Sequence, residues 1–443
     1  MDETEPEPET EPLDLARDPY AALRLRDFRW FLGASVIATV GTEMQAVTVG
    51  WELYERTGSE LYLGLVGLAQ ILPVLLLALP AGHVADRFSR KNIILATQLC
   101  QVAAALGLAS VSFAKGPVWL IFTLLGLIGV ATAFNLPARG SILPQLVPRE
   151  LFANAVAWRS SGWQTAAAVG PALGGVGIAI FKAAGPIYLI NAFCVFVAFL
   201  GVRLVRCLPQ AKSTDPFSAR SLLAGARFVW KTNLILATIT LDMFAVLLGG
   251  ATALLPVFAK NILHVGPTGL GWLRAAPAIG AMSMGLIVAH IPPLKRAGPA
   301  LIYAVIGFGL ATIGFGLSRN FFASVFLLFI TGALDNISVV VRSTLIQTLT
   351  PDEMRGRVAA VNSIFIGMSN ELGSFESGVA ARVLGTVRSV VLGGVGTIVV
   401  VLWVLAKWPS VWRIGALSRS ALHEVDPPRW TAPSRPLESE GQL

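Results

Sequence analysis

Long apolar runs are the feature that most limits what this chain can become. Twelve of them occupy approximately residues 29–53, 61–84, 92–114, 117–138, 154–181, 185–205, 233–258, 267–290, 298–317, 321–341, 357–381 and 388–408. Each is near the length that carries a helix across ~30 Å of hydrocarbon. A backbone in lipid has no water to satisfy its N–H and C=O groups, so such runs are helices. Only 14% of the 443 residues are charged, where a soluble domain has roughly 25%. The reading is an all-α membrane protein of about twelve spans in two six-helix halves, 28–205 and 233–408. A cytoplasmic linker, 206–232, joins them, and tails 1–27 and 409–443 flank them, the first expected to be disordered.

The placement of basic residues gives the orientation. With the N-terminus inside, the cytoplasmic loops hold Arg87, Arg90, Lys91, Arg139, Arg149, Arg203, Arg206, Lys212, Arg220, Arg227, Lys231, Lys295, Arg296, Arg342, Arg355 and Arg357. The opposite loops hold the smaller set Arg56, Lys115, Lys182, Lys260, Arg319, Arg382 and Arg388. The net charge of +8 is therefore a topology signal, and no nucleic-acid partner is needed to explain it. Residues 1–19 are acidic and Pro-rich, unlike a cleavable leader, so the first span is expected to direct insertion. Both termini are expected in the cytoplasm.

An internal repeat supports the two halves. An offset of 203 residues places Arg139 on Arg342, Pro148 on Pro351, Glu150 on Glu353 and Ser160 on Ser363. An offset of 204 places Gly67 on Gly271 and Pro73 on Pro277. Parallel repeats around a midplane site are a common transporter architecture.

Between spans two and three stands Gly82-His83-Val84-Ala85-Asp86-Arg87-Phe88-Ser89-Arg90-Lys91. It resembles the signature loop of the major facilitator superfamily, with Ser89 in place of a glycine and Val84 in place of a leucine. The resemblance implies a gating latch made by Gly82, Asp86, Arg87, Arg90 and Lys91. Gly170-Pro171-Ala172-Leu173-Gly174-Gly175 is similar to the span-five element of that superfamily's exporters. Gly41-Thr42-Glu43, Tyr54-Glu55-Arg56-Thr57-Gly58, Leu146-Val147-Pro148 and Asn154-Ala155 resemble the branch of enterobactin and macrolide exporters. The acid often found at the place of Thr42 stands next door here, at Glu43.

Ionisable groups inside a span are costly unless they face a cavity or partner. Glu43, Asp242, Arg274, Asp335, Glu371 and Glu376 are such groups. Span eleven also has a polar stripe, Ser363, Gly367, Asn370, Ser374 and Ser377, flanked by Glu371 and Glu376. Carboxyls held out of water exchange protons nearer neutral pH, which suits Glu43, Asp242, Arg274, Asp335, Asn370, Glu371 and Glu376 to proton coupling or cavity lining. A permanent pairing of the acids with Arg274, Arg159 or Arg382 is the structural alternative. Trp163 and Trp272 could line a cavity for a greasy substrate.

The four histidines are scattered, the three cysteines show no metal spacing, and no phosphate-binding glycine loop is present. The chain reads as a transporter without cofactor or metal, and not as an enzyme. The function expected is proton-coupled export of an amphiphilic small molecule, such as a siderophore or drug, by a monomer in the bacterial inner membrane. An importer or lysolipid mover of the same fold is the alternative, with a non-transporting sensor behind it.

Overall fold

The computed structural model describes residues 18–206, 219–292 and 295–415. The expectations for the far ends of both tails, for residues 207–218 of the linker and for Lys212 lie outside these residues. Among the described residues there are helices and turns and no strand.

The long helices are α1 (Arg26–Thr57), α2 (Glu60–Arg87), α3 (Arg90–Phe113), α4 (Val118–Ser141), α5 (Phe152–Phe181) and α6 (Gly185–Leu204). After a short helix (Ala219–Lys231) come α7 (Asn233–Gly249), α8 (Gly266–His290), α9 (Ala297–Leu317), α10 (Phe321–Leu349), α11 (Asp352–Leu384) and α12 (Thr386–Lys407). The turn from α1 to α2 is very tight because Gly58 adopts the left-handed conformation at φ 61° and its N–H caps Tyr54 O.

Large apolar side chains such as Leu76, Phe322, Phe326 and Val383 point outward, while Thr48, Thr238 and Thr397 are buried. That inversion suits lipid as the solvent. Internal polar groups pair with one another, as in the bonds of Tyr188 Oη to Glu52 Oε2 and of Asn191 Nδ2 to Gln45 Oε1, both 2.7 Å.

Among the described residues, eleven helical stretches are long and apolar enough to cross a membrane, and α11 is not one of them. Its charged groups and serine-rich stripe lower its hydropathy. At 33 residues it still runs the length of its neighbours α2, α7 and α12, completing a bundle of twelve.

Four further details correct the sequence reading. The seventh span is not one helix over 233–258. It ends at Gly249, passes through Gly250 at ψ 65°, and resumes as short 3-10, α and π turns over 251–262. Residues 18–27, part of the tail expected to be disordered, pack on the bundle: Ala22 is fully buried, and Trp158 Nε1 donates to Pro19 O at 2.9 Å. The linker contains the helix Ala219–Lys231. At the other end the helical bundle extends past 408, because Val411 and Ile414 are buried and the N–H groups of Ala297 and Gly298 donate to Gly415 O and Ile414 O.

Candidate functional site

Two glycine seams join the halves. In the first, α5 meets α8. A Cβ on Gly271 would lie 2.7 Å from Pro171 O and 3.1 Å from Gly175 Cα, so neither helix tolerates a larger residue there. In the second, α2 meets α11. A Cβ on Gly378 would lie 2.7 Å from Gly64 Cα, and one on Gly67 would lie 2.7 Å from Glu371 O. Small residues of this kind let membrane helices approach backbone to backbone. The span-five element thus has two contacts: Gly170 and Gly174 pack on Val40, Glu43 and Met44 of α1, while Pro171 and Gly175 pack on α8.

Both seams lie toward the end that carries the α1–α2 turn. Polar bonds across the halves seal that end. Asn261 Nδ2 donates to Tyr54 Oη at 2.6 Å, Arg382 Nη1 to Ser59 Oγ at 3.1 Å, and Thr386 Oγ1 to Glu60 Oε1 at 3.4 Å. Toward the opposite end the same helix faces come apart. Trp163 is seven residues before Gly170, hence on the same face of α5, yet it is 59% exposed. On α11 the packed face of Ser374 and Gly378 gives way to Gly367, where an added Cβ would meet nothing, and to exposed Ser363. The bundle is therefore a cleft, closed at one end and open at the end bearing the Asp86 loop.

The apex of this cleft is charged. Arg274, three residues along α8 from Gly271, attracts both Glu43 of α1 and Glu371 of α11, and the two carboxyls repel each other. Glu43 sits where α1 meets Gly170, and Glu371 where α11 meets Gly67. Arg274 is also held by the broken seventh span: its Nη1 donates to Thr252 O at 3.2 Å, and Ser377 Oγ of α11 donates to Gly250 O at 3.2 Å. Irregular backbone in a membrane persists where other groups satisfy its carbonyls. Two carboxylates around one guanidinium leave an unbalanced negative charge, which is costly away from water.

The other expected residues lie elsewhere. Asp242 of α7 forms a buried ion pair with Arg342 of α10, at 7% and 5% side-chain exposure. Arg342 was expected in a cytoplasmic loop and is instead inside a span, where an acid neutralises it. Asp242 and Asp335 line one small cavity with Ser338 and Phe308, within the second half. Glu376 is half-buried and stands apart from the pairing with Arg274. Asn370 is exposed beside the cleft face, and Asn370 Nδ2 donates to Ile366 O. Arg159 reaches Arg139 O at 3.5 Å and, among the described residues, pairs with no acid. Trp272 is exposed on α8.

In the signature loop, Gly82 is buried at the end of α2, and Asp86 acts electrostatically on Arg90 at the start of α3. Arg90 donates to Ser141 O, and Lys91 Nζ donates to Arg203 O at 2.8 Å and Val205 O at 2.7 Å. These bonds tie the ends of α4 and α6 to the loop, all within the first half. Arg87 is exposed at the last turn of α2.

Sequence reasoning missed the break in α7, the Asp242–Arg342 pair and the Tyr54–Asn261 bond. The adjacent Gly249 and Gly250 were the available signal for the first. The repeat that set Arg342 on Arg139 gave no sign that an acid of another span faced it.

A family model described as transmembrane secretion effector matches residues 17–427. The staphyloferrin A transporter of Staphylococcus aureus is 25% identical, with 84% of this chain and 93% of that protein covered. The enterobactin exporter EntS of Citrobacter koseri is 27% identical, with 84% and 89% covered. Macrolide efflux protein A of Streptococcus pyogenes is 23% identical, with 85% and 94% covered. Among solved structures, a bacterial homolog of the human lysosomal transporter Spinster, inward-facing and occupied, matches with a TM-score of 0.67 at 14% identity, covering 86% of this chain and 96% of that one. A POT family transporter in complex with 5-aminolevulinic acid matches with a TM-score of 0.70 at 11% identity, covering 87% and 96%.

Proposed function

The chain belongs to the transmembrane secretion effector family of the major facilitator superfamily, and from that premise we propose that it exports an amphiphilic small molecule, of siderophore or drug type, in exchange for protons. The observation that carries this reading is the Glu43–Arg274–Glu371 unit at the cleft apex, which links α1 of one half to α8 and α11 of the other. Export is supported by the relatives' names, enterobactin exporter and macrolide efflux protein, and by the packing of the Gly170–Gly175 element on both α1 and α8.

The proposed cycle has the two halves, 28–205 and 233–408, rock about the two glycine seams, with 206–232 as their connection. The open end, beside the Asp86 loop, faces the cytoplasm of a bacterial cell across its inner membrane, and both termini lie there. Substrate enters the cleft as far as Trp163 and the apex. With both acids ionised, Glu43 and Glu371 draw on Arg274 and hold the halves together at the apex. In the state open to the other side, a proton taken up there neutralises one carboxyl, changes its attraction to Arg274 and lets the halves exchange access. The Asp86 loop sets which state is held, and one copy suffices for the cycle.

The test is substrate-dependent proton movement in proteoliposomes, screened with siderophores and macrolides. Glu43→Gln and Glu371→Gln are expected to abolish proton-driven accumulation and flatten its pH dependence, while substrate exchange without a gradient persists. An unaltered pH dependence in both variants would remove the apex unit from the coupling mechanism.

A further inference from the structure

The helix Ala219–Lys231 has two faces of different character. Gly225, Phe228 and Val229 are buried. Phe228 and Val229 join Ile235, Ile239, Ile346, Met354 and Val358 in one cluster at the ends of α7, α10 and α11. The approach is close: a Cβ on Gly225 would lie 2.8 Å from Arg357 O. On the opposite side, Leu223, Arg227 and Trp230 follow one another at i, i+4 and i+7, which places them in a single stripe. Leu223 is 64% exposed and Trp230 67%, and Arg227 and Lys231 are exposed beside them.

The position of this helix is fixed by one residue. Lys231 ends it, Thr232 turns at φ −102°, ψ 98°, and the spanning helix α7 begins at Asn233. A one-residue connection leaves the helix no room to leave the membrane surface. It lies on the same side as the Asp86 loop, because four spans separate them. Tryptophan is favoured at the headgroup level, and an amphipathic helix with basic residues beside its apolar stripe binds an anionic interface.

We propose that the Leu223–Arg227–Trp230–Lys231 face is a docking surface for anionic phospholipid, with Leu223 and Trp230 seated at the acyl boundary and Arg227 and Lys231 on the headgroup phosphates. The packed face carries this anchorage to Arg357 at the base of α11, the helix that bears Glu371. Lipid charge at this surface therefore holds the base of a helix lining the cleft.

The full chain is reconstituted in phosphatidylcholine vesicles with and without phosphatidylglycerol, either lipid being supplied brominated. Trp230 quenching is read as the difference between the unaltered chain and Trp230→Phe. Stronger quenching by brominated phosphatidylglycerol than by brominated phosphatidylcholine is expected. Each of Arg227→Gln and Lys231→Gln should lower the preference about fivefold, the effect of ~1 kcal/mol per basic residue at a charged surface. Equal quenching by the two lipids refutes headgroup recognition. A Trp230 contribution that only aqueous iodide quenches refutes docking to lipid altogether and leaves the stripe free for a soluble partner or for the chain's own acidic N-terminal segment. None of these outcomes depends on the export reading.

Discussion

Gly271→Val is the substitution that most directly tests the cleft. At this position a Cβ would stand 2.7 Å from Pro171 O, 3.1 Å from Gly175 Cα and 3.2 Å from Ala172 Cα. All three are backbone atoms, which no rotamer change can move. Ordinary contact needs more than 3.4 Å, so α5 and α8 must part by most of an ångström for Cβ alone, and further for the valine methyls. Overpacking of this kind costs about 1–3 kcal/mol, charged only to the state in which the seam is closed. The closed seam belongs to the state in which Tyr54 meets Asn261, so the population should shift about 5- to 150-fold toward the state with that end open. The measurement is a distance distribution between spin labels at Ser59 and Arg382, which meet across the sealed end. Gly33→Ala is the control, because an added Cβ there meets nothing. A Gly271→Val variant that inserts normally but leaves the label distances and transport unchanged would refute the claim that this seam closes the cleft.

Other outcomes follow from the same geometry. Asp86→Asn should impair transport several-fold while insertion and folding are preserved, measured as substrate flux per correctly inserted molecule; normal kinetics would show that Asp86 has no part in gating. Arg342→Met should destabilise the second half by about 3–5 kcal/mol, because Asp242 would be left buried without its partner. The double variant Arg342→Met, Asp242→Leu should recover most of that loss in a thermal or denaturant titration in detergent, and failure to recover would mean that the pair is not what the positions contribute.

Spans, repeat and signature loop were legible because each rests on a local or periodic property of the chain. Apolar length gave the helices, and the equivalent Gly67 and Gly271 both fall on inter-half seams, as an aligned repeat implies. Pairings between helices were not legible, because a contact such as Asp242 with Arg342, one hundred residues apart, leaves no trace in spacing. Arg342 misled for a physical reason. A buried arginine beside its acid and a loop arginine look alike in a charge count, and only the packing separates them. The break in α7 was hidden in the same way, since Gly249 and Gly250 end a helix only where Arg274 and Ser377 are placed to take up the freed carbonyls. Glu43 could be singled out as an acid inside a span, but its partner on α8 could not.

The two seams are near copies and the charges are not, and that contrast constrains how the molecule works. Gly175 against Gly271 and Gly64 against Gly378 close the same end of the cleft with similar uncharged contacts, which do not make the preference for one access state respond to charge. The preference has to come from unequal parts. At the open end these are the Arg90 and Lys91 bonds to Ser141, Arg203 and Val205, which brace one half only. At the apex there is a single arginine, on α8, and the first half supplies an acid to it from α1. A change of one charge at Glu43 or Glu371 therefore acts across the line between the halves, where a few kcal/mol decide whether the seams stay closed. The same change at Asp242 or Asp335 acts within the second half and leaves that line untouched. In the proposed exchange, the position of a carboxyl relative to the seam, more than its depth in the membrane, is what would suit Glu43 and Glu371 for coupling.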